Sequence, residues 1–165
     1  MLTSVELGGD LRQQALAVLA PMIGLPVEKV RISKRGALIV DLGAPKRMQT
    51  YVRGEWRIGI FNSAWRLGAG GRVLVGSGDD WRRAAEAMQD LLIPPLSTFE
   101  IDESLLDSNF YFENLRLQIF PLYTGPDDRF DAWTVWMPSE QQLRVGPGPR
   151  LRIDGEMDHS AASAG

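Results

Sequence analysis

AWRLGAGGRVLVGSG, residues 64–78, is answered later in the chain by AWTVWMPSEQQLRVGPG, residues 132–148. Aligned, Trp65 meets Trp133 and Leu67 meets Val135. Val73 and Val75 meet Leu143 and Val145, and Gly76 and Gly78 meet Gly146 and Gly148. The correspondence continues upstream. WRIGIF (56–61) matches LRLQIF (115–120), ALIVDLG (37–43) matches NFYFEN (109–114), and LPVEKVRI (25–32) matches PPLSTFEI (94–101). GGDLRQQALAVLAPMI (8–23) sits over SGDDWRRAAEAMQDLL (77–92). Most pairs lie about 70 residues apart, and loops absorb the slips. Few residues are identical; the order of the pairs and the shared apolar alternation carry the reading.

Each unit parses the same way. Asp10 with Gln13 has capping-box spacing, and Leu11, Ala15, Val18, Leu19 and Met22 follow as one apolar helix face. Pro21 should end or kink that helix. In the second unit Asp79 takes the cap position, and Trp81, Ala84, Ala85, Met88, Leu91 and Leu92 form the stripe before Pro94 and Pro95. Period-two alternation then predicts strands through Val30 and Ile32, Leu38 to Leu42, Trp56 to Ile60, Trp65 and Leu67, and Val73 and Val75. Their counterparts run through Phe99 and Ile101, Phe110 and Phe112, Leu115 to Ile119, Trp133 and Val135, and Leu143 and Val145. LRID (151–154) adds a trailing strand. The expected fold is α+β: two tandem helix-plus-antiparallel-meander units, an internal duplication, packed about a pseudo-twofold around one core. The units cover about 8–76 and 77–154 of a single domain 1–154, and 155–165 is a small, polar, disordered tail.

Composition narrows the chemistry. The 165 residues are 44 % apolar and 24 % charged, a globular balance, and no apolar run approaches the ~20 residues that span a bilayer. No secretion-signal pattern opens the sequence, so a cytoplasmic location is expected, with no membrane partner. There is no cysteine, and the one histidine, His159, lies in the tail. A Ser-His-Asp or Cys-His arrangement cannot be assembled, nor a His/Cys zinc site. The net charge of −3 and the lack of a basic stripe argue against nucleic acid. No phosphate-binding loop motif is present, and Gly68, Gly70 and Gly71 read as positive-φ turn residues. Asp79 and Asp80, or Asp127, Asp128 and Asp131, offer carboxylates without EF-hand spacing, so neither metal nor cofactor is expected.

The two units differ at two insertions. GAPKRMQTYVRGE (43–55) reads as a basic loop, with Lys46, Arg47 and Arg53; PLYTGPDDRFDA (121–132) reads as an acidic one, with Asp127, Asp128 and Asp131. Opposite charges suit steering and register; solvation alone would also make such loops polar. Trp136 and Tyr111 fall on the off-faces of their strands, opposite Trp133 and Phe110, either as a recognition patch or beneath a second layer.

GEWRIGIFNSAWRL, GRVLVGSGDDW, LRLQIFP and DAWTVWMPSEQQLRVGPG resemble motifs of small uncharacterised bacterial α+β proteins. Some of these sit beside secreted toxins and are suspected immunity proteins. The resemblance implies protein binding and transfers no catalytic residue. The expectation is a non-catalytic protein-interaction module, an immunity or self-associating protein. Its partner is another protein or a second copy, met through Lys46, Arg47, Arg53, Tyr111, Asp127, Asp128, Asp131 and Trp136. The alternative is a small-molecule-binding protein or carboxylate-based enzyme with its pocket at the seam between the units, where Glu55, Arg57 or Arg66 would converge.

Overall fold

Alternating apolar residues become strands, and two short amphipathic stretches become helices, in a computed structural model that describes residues 4–6, 10–102, 105–122, 131–146 and 151–155. The order is β1 (Ser4–Glu6), α1 (Leu11–Leu19) with a 3-10 turn (Ala20–Met22), β2 (Val27–Ile32), β3 (Leu38–Arg47), β4 (Val52–Ile60), β5 (Ser63–Ala69) and β6 (Arg72–Gly76). Then come α2 (Trp81–Asp90), β7 (Thr98–Ile101), β8 (Ser108–Phe112), β9 (Leu115–Pro121), β10 (Trp133–Trp136), β11 (Gln142–Val145) and β12 (Leu151–Asp154). The expected tail lies outside the described residues except for Gly155.

Local chemistry sets the helix ends. Asp10 accepts from the Gln13 amide at 3.3 Å, and Pro21 falls where α1 tightens into its 3-10 turn. The second cap is one residue later than expected. Asp80, not Asp79, accepts from the amides of Arg82 and Arg83, a capping contact worth about 1 kcal/mol. Asp79 instead accepts from the Gly76 amide at 2.8 Å and closes the turn after β6. Of the α2 stripe, Ala84 and Met88 are buried, while Leu92 lies beyond the helix end and is exposed.

All strand pairings are antiparallel, in two sheets. One has the order β1-β12-β11-β10-β4-β3-β2 and the other β6-β5-β9-β8-β7. The fold is therefore α+β with two antiparallel sheets and two short helices, but neither half is a self-contained meander. Each half contributes strands to both sheets. The chain changes sheet at a corner, Phe61–Asn62 between β4 and β5, where Ser63 Oγ donates to the Ala132 carbonyl at 2.7 Å. α2 rests on β2 and β6, and α1 on β7.

The inner faces meet in one apolar cluster. From the seven-stranded sheet come Val40, Ile58, Trp133 and Leu143; from the five-stranded sheet come Trp65, Leu67, Phe110 and Ile119. Phe110 meets Trp133 edge-on at 5.4 Å. The two echoed tryptophans are both buried, and both place their indole N–H: Trp65 donates to the Gly36 carbonyl at 2.8 Å and Trp133 to Ser108 Oγ at 3.1 Å. Such satisfaction is what makes a buried tryptophan tolerable. Val73 was expected to point inward with Val75. A bulge between β5 and β6 pairs Leu67 with Val75 but Gly68 with Val73, and Val73 is exposed. No helix among the described residues is long and apolar enough to cross a membrane.

Candidate functional site

The stretch 43–55 is not a loop. β3 continues to Arg47 and β4 begins at Val52, with Lys46 opposite Arg53 and Arg47 opposite Val52. This long hairpin reaches over the turn between β10 and β11. Lys46 Nζ donates to the Pro138 carbonyl at 2.6 Å and lies 3.2 Å from Glu140 Oε1. Arg53, expected on a solvated basic surface, is buried, and its Nη2 donates to the Met137 carbonyl at 3.2 Å. Burial pulls its guanidinium below its ordinary value. Arg53 therefore holds the hairpin to β10, and only Arg47 of the three basic residues remains exposed. The acid that answers the hairpin is Glu140, in a turn the sequence reading did not single out.

Asp127 and Asp128 lie outside the described residues. Asp131 is bonded within the chain, to Arg144 Nε and, at 2.6 Å, to Arg152 Nη2. Arg144 also donates to Asp154 at 2.9 Å. Burial raises the Asp131 carboxyl, outweighing the pull of the two arginines. Burial opposes the Arg144 charge, but Asp154 and Asp131 hold that guanidinium above its ordinary value. Asp131 is thus part of an internal network, not an open acidic surface.

Trp136 does point outward, beside Arg57 in the register of β10 on β4. Its ring meets Phe61 edge-on at 6.1 Å over Gly59, where an added Cβ would come within 2.6 Å of both rings. Arg57 lies 5.3 Å from the Tyr51 ring. Its Nε donates to Asp41 Oδ1 at 2.6 Å and its Nη2 to Oδ2 at 3.0 Å, with Arg31 on the same carboxylate at 3.2 Å. Burial pushes the Asp41 carboxyl up, but Arg57 and Arg31 bring it below its ordinary value. Tyr51, Val52 and Phe61 are 47 %, 55 % and 49 % exposed. The outer surface of the seven-stranded sheet therefore carries an aromatic patch, Tyr51, Trp136 and Phe61 around Arg57, at the joint of β4 and β10; Val52 has the opposite parity on β4 and does not belong to it. Phe61 obeys the same off-face parity as Trp136 and was readable; Tyr51 gains its place beside Arg57 only through the hairpin.

Tyr111 also points outward, but from the other sheet. Its hydroxyl donates to Glu100 at 2.8 Å, and burial together with that carboxylate raises its phenol. It shares no surface with Trp136. Glu55, Arg57 and Arg66 do not converge either: Arg57 belongs to the outer face of one sheet and Arg66 to that of the other. The seam holds Val40, Leu67, Met88 and Phe112 around a gap of about 10 Å³, too small for a ligand. Among the described residues no group of three or more histidine and carboxylate side chains could hold a metal. Comparison with family models, curated proteins and solved structures finds no match to the chain.

Proposed function

We propose that the chain is a non-catalytic protein-binding module, made by duplication of a helix-plus-strands unit and related by a pseudo-twofold. The strand orders support the duplication. Reading β2-β3-β4-β10-β11 against β7-β8-β9-β5-β6, each strand falls opposite its sequence counterpart. The helices exchange in the same sense, α2 resting on β2 and α1 on β7. The indole bonds follow suit: Trp65 bonds Gly36 just before β3, and Trp133 bonds Ser108 at the start of β8.

One observation carries the binding role. Tyr51 and Phe61 are about half exposed and flank Trp136 and an arginine whose charge is already answered. Aromatic groups around a neutralised arginine are the composition of a protein contact centre. The filled seam weighs against the alternative of an internal ligand pocket. The partner is another protein, as for an immunity protein, or a second copy. We place the chain in the cytoplasm, since it needs no oxidising compartment to fold.

The test compares the native chain with a Tyr51→Asp/Phe61→Asp variant whose melting temperature is unchanged. Cross-linked partners are identified, and the complex is rebuilt from purified components. Light scattering separates a second copy from a different protein. The native chain should form the complex and the variant should not. A complex that the variant forms equally well overturns the reading.

A further inference from the structure

The outer face of the five-stranded sheet is built on arginines held by neutral groups. Register sets Arg66 of β5 beside Gln118 of β9 and Asn109 of β8, and Gly68 beside Arg116 and Tyr111. Arg66 Nε donates to Gln118 Oε1 at 2.8 Å, and its guanidinium lies 5.2 Å from the Phe120 ring. Arg116 Nε donates to Asn109 Oδ1 at 2.9 Å and lies 5.7 Å from the Tyr111 ring. Among the described residues, neither these two nor Arg72 makes an ion pair. An amide oxygen at Nε and a ring beneath the plane fix a guanidinium without cancelling its charge. Both Nη groups of Arg66 and of Arg116 are then left for a bidentate acceptor.

Arg66, Arg72 and Arg116 line one shallow depression of about 500 Å³, within the volume range of small-molecule sites. Gly68 lines it between Arg72 and Arg116. Among the described residues, Glu113 is the one carboxylate on its rim and pairs with none of the three, so the depression keeps a net positive charge. A second depression, sharing Arg116 and Gln118, is lined by Glu100, Asp102 and Asp107. Those carboxylates would repel a long acidic chain laid across the face, so the geometry favours a compact anion.

We propose that this face binds a compact oxyanion, a small molecule bearing carboxylate or phosphate groups, gripped by the forks of Arg66 and Arg116 with Arg72 at the rim. The site lies on the opposite sheet from the aromatic patch and does not rest on the protein-binding reading.

The experiment titrates the full chain with citrate, pyrophosphate and hexaglutamate while following the arginine Nε–H resonances by NMR. Citrate or pyrophosphate should shift Arg66 and Arg116 saturably, and whichever binds names the group. Arg66→Gln and Arg116→Gln should each weaken binding by about tenfold or more. Gln118→Glu, which supplies Arg66 with a carboxylate and leaves both arginines in place, should weaken it comparably without loss of fold. No saturable shift, unchanged binding in all three variants, or tighter binding of hexaglutamate than of either small anion overturns the proposal.

Discussion

Arg57 and Arg116 both point outward from a central strand, one on each sheet, and both lie near a tyrosine ring. Arg57 is clamped on the Asp41 carboxylate, which is 2 % exposed. Arg116 rests on the Asn109 amide, in the open. The contrast extends across both faces. On the seven-stranded sheet Arg31, Arg57, Arg144 and Arg152 answer Asp41, Asp131 and Asp154. On the five-stranded sheet Arg66 and Arg116 have amides and rings. Where carboxylate and guanidinium are buried together, the charge is spent on structure. Where the guanidinium is fixed by neutral groups, it remains available.

The sharpest way to break this contrast is Asp41→Ala. It strands Arg57, whose side chain is 11 % exposed, and breaking such a buried pair costs about 3–5 kcal/mol. Urea midpoints should show that loss, whereas Glu100→Gln on the other sheet should move the midpoint hardly at all. Equal midpoints would erase the distinction between the faces.

Next in size is a pair of glycines. Gly68→Ala sets a Cβ 2.8 Å from the Arg72 backbone carbonyl, which cannot swing away. Gly59→Ala meets the rims of Phe61 and Trp136, which can. We expect about 2 kcal/mol for Gly68→Ala and about 1 for Gly59→Ala. Calorimetry measures both, and a shift in tryptophan emission should accompany only Gly59→Ala.

Acid sharpens the comparison within one face. Asp41 is lowered from 3.8, so its stabilisation is whole above that value and is lost as pH falls through the folded pKa. Asp131 is raised from 3.8, so the folded state takes up its proton first and gains relative stability as pH falls towards 3.8. In Asp41→Asn the slope of stability against pH should be shallower below 3.8; in Asp131→Asn it should be steeper above 3.8. Urea titrations at stepped pH test both signs. The smallest effect belongs to Lys46→Gln. Its ion pair with Glu140 is about a third exposed on either side, and we expect a change within about 0.5 kcal/mol.

Alternation made the strands and their inner residues legible, since period two fixes which side chains share a face. It placed Trp136 and Tyr111 outward without naming the sheet that each belongs to. Partner choice was hidden because the corner at Phe61–Asn62 is short enough to read as a hairpin, yet it passes the chain from one sheet to the other. The basic hairpin misled for a related reason: composition marks Arg53 as polar, and only the register opposite Lys46 reveals that β10 covers it. The arginine face escaped because Arg66 and Gln118 stand 52 residues apart and become neighbours only through the pairing of β5 with β9.

That same corner has a consequence for how the gene product can be divided. Cleavage in the turn between β6 and α2 would leave a front fragment owning β1, β2, β3 and β4 of one sheet and β5 and β6 of the other. The rear fragment would hold the complementary strands. Each fragment alone would end in raw strand edges, the state that invites clumping. Co-expressed, the two should reassemble through those edges, which co-purification of a tagged front fragment with the rear one would show.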